Sequence, residues 1–141
     1  MSNIFNRNSL STEVIDSIES IGQVNSRIVI INAVGVLADL YWITKVAYVG
    51  GGFSSGVHNL MEPAVAGVPM IFGPHYKKFK EAVEIVSQNA GRSISKSIDF
   101  KNLLNFYFNS EENLNYSSKS ARNIILNHSG ASVKILNYIN S

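Results

Sequence analysis

Cysteine is absent from the 141 residues, which removes both a disulfide framework and a redox thiol and fits a cytosolic setting. Charge of either sign is also scarce: 12 Lys and Arg against 10 Asp and Glu leave a formal net charge of +2. The basic residues are dispersed except at Lys77, Lys78 and Lys80, so no electrostatic footprint for nucleic acid emerges. That cluster reads first as a solvated helix face. Its place directly after Gly73-Pro74-His75 keeps open a role in drawing a phosphate or carboxylate. No run of about twenty apolar residues exists to span a bilayer; the most apolar region, Ile28 to Ile43, is interrupted by Asn32, Gly35 and Asp39. Met1 to Asn8 is polar and lacks the apolar core of a signal peptide. Ser54 and Ser55 lie in no Gly-x-Ser-x-Gly elbow, no spacing suggests a metal cluster, and Gly50-x-Gly52 is followed by Ser55 where a dinucleotide fingerprint needs its third glycine. Nucleophilic, zinc and dehydrogenase chemistry are disfavoured.

What the chain does have is concentrated between Val46 and His75. A β-branched run, Val46 to Val49, breaks into Gly50, Gly51 and Gly52, the way a buried parallel strand ends where the backbone turns tightly beside a ligand. After Ser54, Ser55 and Gly56 the pattern turns helical at about His58, with Leu60, Ala64 and Val65 able to share a face and Gly67 as the stop. Strand, glycine loop and helix start together make a seat for a phosphate or carboxylate. Glu62, about one turn in, would repel that anion and is better suited to accept hydrogen bonds from vicinal sugar hydroxyls. The combination points to a nucleotide or nucleotide-sugar site. Plainer readings exist: three glycines also suit a flexible turn, and His58 or His75 alone suits a hydrogen-bonded loop.

The flanks read as an α/β scaffold, one domain over residues 1–141 with residues 1–26 peripheral and 110–141 forming carboxyl-terminal helices. Ser9 or Ser11 is placed to cap a helix reaching Glu19, striped by Val14, Ile15 and Ile18. Ile28 to Ile31 reads as a central strand buried on both faces, Val36 to Ile43 as a helix, and Val46 as the start of the next strand, a βαβ unit. Val68 to Phe72 is a third strand, which brings Gly73-Pro74-His75 to the same rim as the glycines, so that His58, Asn59, Glu62 and His75 are expected to be neighbours. A helix follows from Lys77 to Ala90, with Phe79, Ala82, Val83, Val86 and Ala90 inward. Ser93 to Ser95 is a short strand, Asp99 caps a helix to Phe108, and two more helices run from Ser110 to Asn127 and from Ala131 to Ile139, separated at Gly130.

The central stretch resembles the signature of 3-deoxy-D-manno-octulosonic acid (Kdo) transferases. The matching residues are Gly50-Gly51, Gly56-Val57-His58-Asn59, Met61-Glu62-Pro63-Ala64, Gly67-Val68-Pro69-Met70 and Gly73-Pro74-His75 with Phe79, and the similarity extends upstream through Gly35 and Leu40-Tyr41 and downstream to Gly130-Ala131. Departures are Val57 for a glycine, Lys78 for an asparagine, and Asn32 and Val36 where acidic residues are common.

The resemblance implies the Rossmann-like carboxyl-terminal lobe of a GT-B glycosyltransferase. That lobe binds a cytidine monophosphate (CMP) linked Kdo donor without metal or other cofactor, through Gly50, Gly51, Gly52, Gly56, His58, Asn59, Glu62 and His75. It also implies that the general base and the lipid A precursor belong to a separate amino-terminal lobe, that this chain alone does not catalyse transfer, and that the work is done at the cytoplasmic face of a bacterial inner membrane in lipopolysaccharide synthesis. In that frame, apolar residues among Ile135, Leu136, Tyr138 and Ile139 are expected to be exposed where the other lobe is absent. Two other readings stand beside it: a GT-B transferase or epimerase domain using a uridine diphosphate (UDP) sugar, and a non-catalytic nucleotide-binding or interaction module.

Overall fold

A computed structural model describes the backbone of residues 10–139 and the side chains of residues 10–128. The expectations for Met1 to Ser9, and for the side chains of Ile135, Leu136, Tyr138 and Ile139, lie outside the described residues. By contact the chain divides into two compact units, Met1–Asp39 and Leu40–Ser141.

In the first unit, β1 (Thr12–Ile15) and β2 (Ile28–Ile31) pair in parallel, Thr12 opposite Ile28 and Ile15 opposite Ile31, around a 3-10 turn at Ile18–Gln23. The ladder is extended at both ends by Ile28 N–H to the Ser11 carbonyl (3.0 Å) and Asn32 N–H to the Ile15 carbonyl (2.8 Å). This corrects three expectations. The segment expected as a helix to Glu19 is a strand, because β2 exposes a row of backbone donors and acceptors that β-branched Thr12, Val14 and Ile15 can satisfy in extended form. Nor is β2 a central strand: it belongs to a two-stranded sheet and all four of its residues are half-buried. It does not share a sheet with the strand that follows, so the βαβ unit expected there is absent. The intervening helix α1 (Leu37–Tyr41) has five residues; at about 1.5 Å of rise per residue it is shorter than the strand it would have to cover.

The second unit holds a three-stranded parallel sheet in the order β3 (Ala47–Val49), β4 (Met70–Phe72), β5 (Gly91–Ser93). Helix α2 (Met61–Ala66) connects the first pair and α3 (Lys80–Ser87) the second. The central strand β4 is wholly buried, and its alternation sends side chains to two cores. Ile71 packs with Ile94 and Tyr107 of α4 (Ser97–Phe108), while Met70 and Phe72 pack with Val49, Leu60, Ala64, Ala82 and Ile85. Ala121 and Ile124 complete the second core from α5 (Glu111–Ile139), a single helix that continues through Gly130 where a break was expected. One helical glycine costs only about 1 kcal/mol, too little on its own to end a helix. In α3 the buried stripe is Ala82 with Ile85, and Val83, expected inward, is 43% exposed. Val65 likewise faces out at 50% while Leu60 and Ala64 are buried. Glu84 of α3 and His128 of α5 meet at 2.7 Å.

Helix α4 begins two residues before Asp99, whose carboxylate reaches back to accept the N–H groups of Ser95 (3.0 Å) and Lys96 (2.9 Å). These bonds hold its pKa below the ordinary 3.8. A carboxylate depressed in the folded chain contributes stability that is present above that value and lost as the pH falls through the folded one. Asp99→Ala is therefore expected to lower the melting temperature by a few degrees near neutral pH, with the gap to the parent chain narrowing below pH 3.8; a pH series of thermal melts checks it.

Candidate functional site

The site begins where β3 ends. Gly51 takes a left-handed conformation (φ 86), and its carbonyl accepts the N–H of Ser54 (2.9 Å), the N–H of Gly56 (3.2 Å) and the Ser54 hydroxyl (3.1 Å). His58 N–H returns to the Gly50 carbonyl at 3.1 Å and closes the loop. Gly52 then crosses Gly73 at the end of β4 so closely that a Cβ on Gly52 would stand 2.5 Å from the Gly73 nitrogen and 2.7 Å from its Cα. The reverse substitution would collide with the Gly52 backbone in turn. Only two backbones without side chains can pass at this distance.

This crossing joins the loop after β3 to the loop after β4. His75 N–H donates to the Gly52 carbonyl (2.9 Å), and the His75 ring meets the Ser54 carbonyl through Nδ1 (3.0 Å). A carbonyl can only accept, so Nδ1 carries the proton in that bond and Nε2 is the ring nitrogen left for a ligand.

On the loop's return, the His58 ring lies over Gly50 and Gly51, 2.7 Å from where a Gly51 Cβ would sit. Asn59 holds both its neighbours: Oδ1 accepts Met61 N–H (2.9 Å) and Nδ2 donates to Glu62 Oε1 (2.9 Å). Glu62 is exposed, its carboxylate turned to solvent and oriented by Asn59. It also acts on Tyr41, whose phenol is pushed above its ordinary 10.0 first by burial and then by the Glu62 charge. The helix starts at Met61, three residues later than expected. Met61 N–H is taken by Asn59 and Pro63 has none, so the first turn offers a ligand at most the Glu62 N–H. An anion seat here rests on the glycine loop more than on a helix dipole.

Two recesses flank the loop. One, of about 260 Å³, is lined by His58, Asn59, Met61, Phe79 and Glu81 among others. The other, of about 380 Å³, is lined by Ser54, Ser55, Pro74, His75, Lys77 and Lys78. Of the eight predicted site residues seven lie in the two joined loops and Glu62 in the first turn of α2, tied to the loop through Asn59; His58 and Asn59 line one recess and His75 the other. Sequence reasoning missed the Gly73 crossing partner, the Tyr41 coupling to Glu62, and the role of Phe79, whose ring fills the hollow at Gly56 where a Cβ would collide with it. The nearest signal was Phe79 itself, which follows Gly73-Pro74-His75 at a fixed distance. Among the described residues no group of three or more His, Asp or Glu side chains converges as metal donors, and no helix is long and apolar enough to cross a membrane.

No protein-family model matches the chain. Curated relatives do: a 3-deoxy-D-manno-octulosonic acid transferase from Chlamydophila psittaci is 38% identical over 96 residues, covering 66% of this chain and 22% of the relative. The enzyme of the same name from Chlamydia trachomatis serovar D is 42% identical over 80 residues, covering 55% and 18%, and that from Aquifex aeolicus is 30% identical over 95 residues, covering 66% and 27%. The chain thus spans about a fifth to a quarter of the length of these relatives and is similar in sequence to that part of them. A solved structure, the C-terminal CMP-Kdo binding domain of WaaA from Acinetobacter baumannii, superposes with a TM-score of 0.64 at 24% identity over 86% of this chain and 66% of that one. The expected Rossmann-like α/β lobe of the GT-B type holds at the level of fold.

The Gly52 and Gly73 crossing yields a stability test. Gly52→Ala is expected to destabilise by about 2–3 kcal/mol, because the atoms in the way are backbone. Gly22→Ala, around which nothing lies within 4 Å, is the matched control and should stay within about 0.5 kcal/mol by urea midpoint.

Proposed function

We propose that this chain, a relative of the Kdo transferases, is the donor-binding lobe of such an enzyme and holds CMP-Kdo for transfer to a lipid A precursor at the cytoplasmic face of an inner membrane. The observation that carries the reading is the Asn59 and Glu62 pair, which holds a solvent-facing carboxylate beside a loop of close-packed glycines. A carboxylate pinned by an amide is a two-oxygen acceptor for the vicinal hydroxyls of a ribose. The glycine loop turns tightly enough for a phosphate to approach those of its N–H groups that the loop does not use itself, beside the His58 ring. His58, lying over Gly50 and Gly51, and His75, tied to Ser54, supply ring donors or acceptors fixed in advance.

In transfer, the bond from the sugar's anomeric carbon to the phosphate oxygen breaks and the pair of electrons leaves with CMP. Negative charge gathers on that phosphate, and donors set before the reaction stabilise it. The acceptor hydroxyl's proton goes to a base that this reading assigns to an amino-terminal lobe, as partner of the unit described. No metal enters the scheme. What this reading assigns to the chain is the binding of donor, and the base and acceptor lie outside it.

Calorimetry with CMP tests the assignment. Glu62→Ala is expected to weaken CMP by about 1.5–3 kcal/mol, the range for hydrogen bonds to a charged group; unchanged affinity would remove Glu62 from the ribose. CMP at a hundred times its dissociation constant should add about 2.7 kcal/mol of stability, and UDP should add little. A larger effect of UDP would favour a UDP-sugar enzyme. Sugar transfer on mixing with an amino-terminal lobe would separate a transferase from a binding module.

A further inference from the structure

The two recesses beside the glycine loop differ in charge. The smaller carries Glu81 and adjoins the Asn59 and Glu62 pair, so an anion there would meet like charge. The larger is lined by Ser54, Ser55, Pro74, His75, Lys77 and Lys78, with no carboxylate among them. Lys78 is exposed but not loose. Its ammonium sits 5.4 Å from the centre of the Phe79 ring, the ring is wedged against Gly56, and the Lys78 Cε lies 3.5 Å from where a Gly56 Cβ would be. No ion pair to Lys77 or Lys78 occurs among the described residues. His75, held through Nδ1 by Ser54, leaves Nε2. The two lysines thus flank a recess with room for an anion and the sugar that carries it, and neither is paired with a carboxylate among the described residues.

We propose that this recess is the subsite for the carboxylate of the donor's acid sugar, with Lys78 its principal cation and Lys77 and His75 its flanks. The inference rests on the donor-binding reading and deepens it. In a CMP-linked 2-ulosonic acid the carboxylate and the phosphate ester oxygen are bonded to the same anomeric carbon, so a phosphate held by the glycine loop places the carboxylate a few bonds away. Ser54 and Ser55 belong to that same loop and line the basic recess. Electrostatics then sorts the donor: hydroxyls toward the acidic recess, the second anion toward the basic one. The subsite selects acid sugars over neutral ones, since a neutral sugar would leave Lys78 without its counter-charge.

The test is calorimetric titration of the whole chain with CMP and with CMP-Kdo, repeated on Lys78→Met and on Lys80→Met, a neighbouring lysine outside the recess, with circular dichroism confirming fold. The expected result is that the parent chain binds CMP-Kdo more tightly than CMP. Lys78→Met should lose roughly tenfold or more in CMP-Kdo affinity while CMP stays within about twofold, and Lys80→Met should change neither. Equal losses for both ligands would assign the recess to the phosphate and overturn the inference. An unchanged CMP-Kdo affinity would overturn it too, leaving the donor reading intact. Absence of CMP binding by the parent chain would instead bring down the donor reading itself, and the subsite with it.

Discussion

The close passage of Gly52 over Gly73 is the constraint from which the rest of the site follows. Two strand ends of a parallel sheet lie about 5 Å apart by construction, but the loops leaving them normally diverge to make room for side chains. Here neither has one, and the backbones touch. That contact puts His75 within reach of two carbonyls of the other loop, Gly52 and Ser54. It converts two separate turns into one rigid rim.

Around that rim the packing is economical. Phe79 fills the hollow at Gly56 with one edge, lines the acidic recess, and lies under the Lys78 ammonium. The completely buried β4 supplies the fixed base, since Met70, Ile71 and Phe72 are locked between two cores and cannot let Gly73 shift. Stability and the shape of the candidate site therefore share atoms: the residues that close the loop also separate the recess that carries Glu81 from the one that carries Lys77 and Lys78. A polar group held this way would lose little freedom on binding a ligand.

Much of this was legible beforehand, and the exceptions have physical causes. Strands were expected at Val46 to Val49 and Val68 to Phe72 from apolar runs ending in glycine, and strands formed there over the shorter spans Ala47–Val49 and Met70–Phe72. Thr12 to Ile15 was misread as helix because its local pattern fits either period, and pairing with Ile28 to Ile31 decided for strand. The start of α2 was misplaced because Asn59, three residues before Glu62, reads as a helical residue but serves as a cap from outside the helix. Val65 and Val83 were assigned to buried stripes by spacing alone. Their helices are short enough that a small rotation exposes them, and Ile85 took the buried place in α3.

By itself the sequence determined the α/β class, the position of the glycine loop and the list of polar residues near it, because glycine placement and apolar periodicity are local properties encoded within a few residues. Tertiary structure alone decided that Gly73 meets Gly52, that Tyr41 feels the charge of Glu62, and that His58 and His75 serve different recesses. Each of these depends on how segments about twenty residues apart in the chain are laid against one another. Which of them form depends on how the strands align and what the core between them will accommodate, and no window of sequence contains that information.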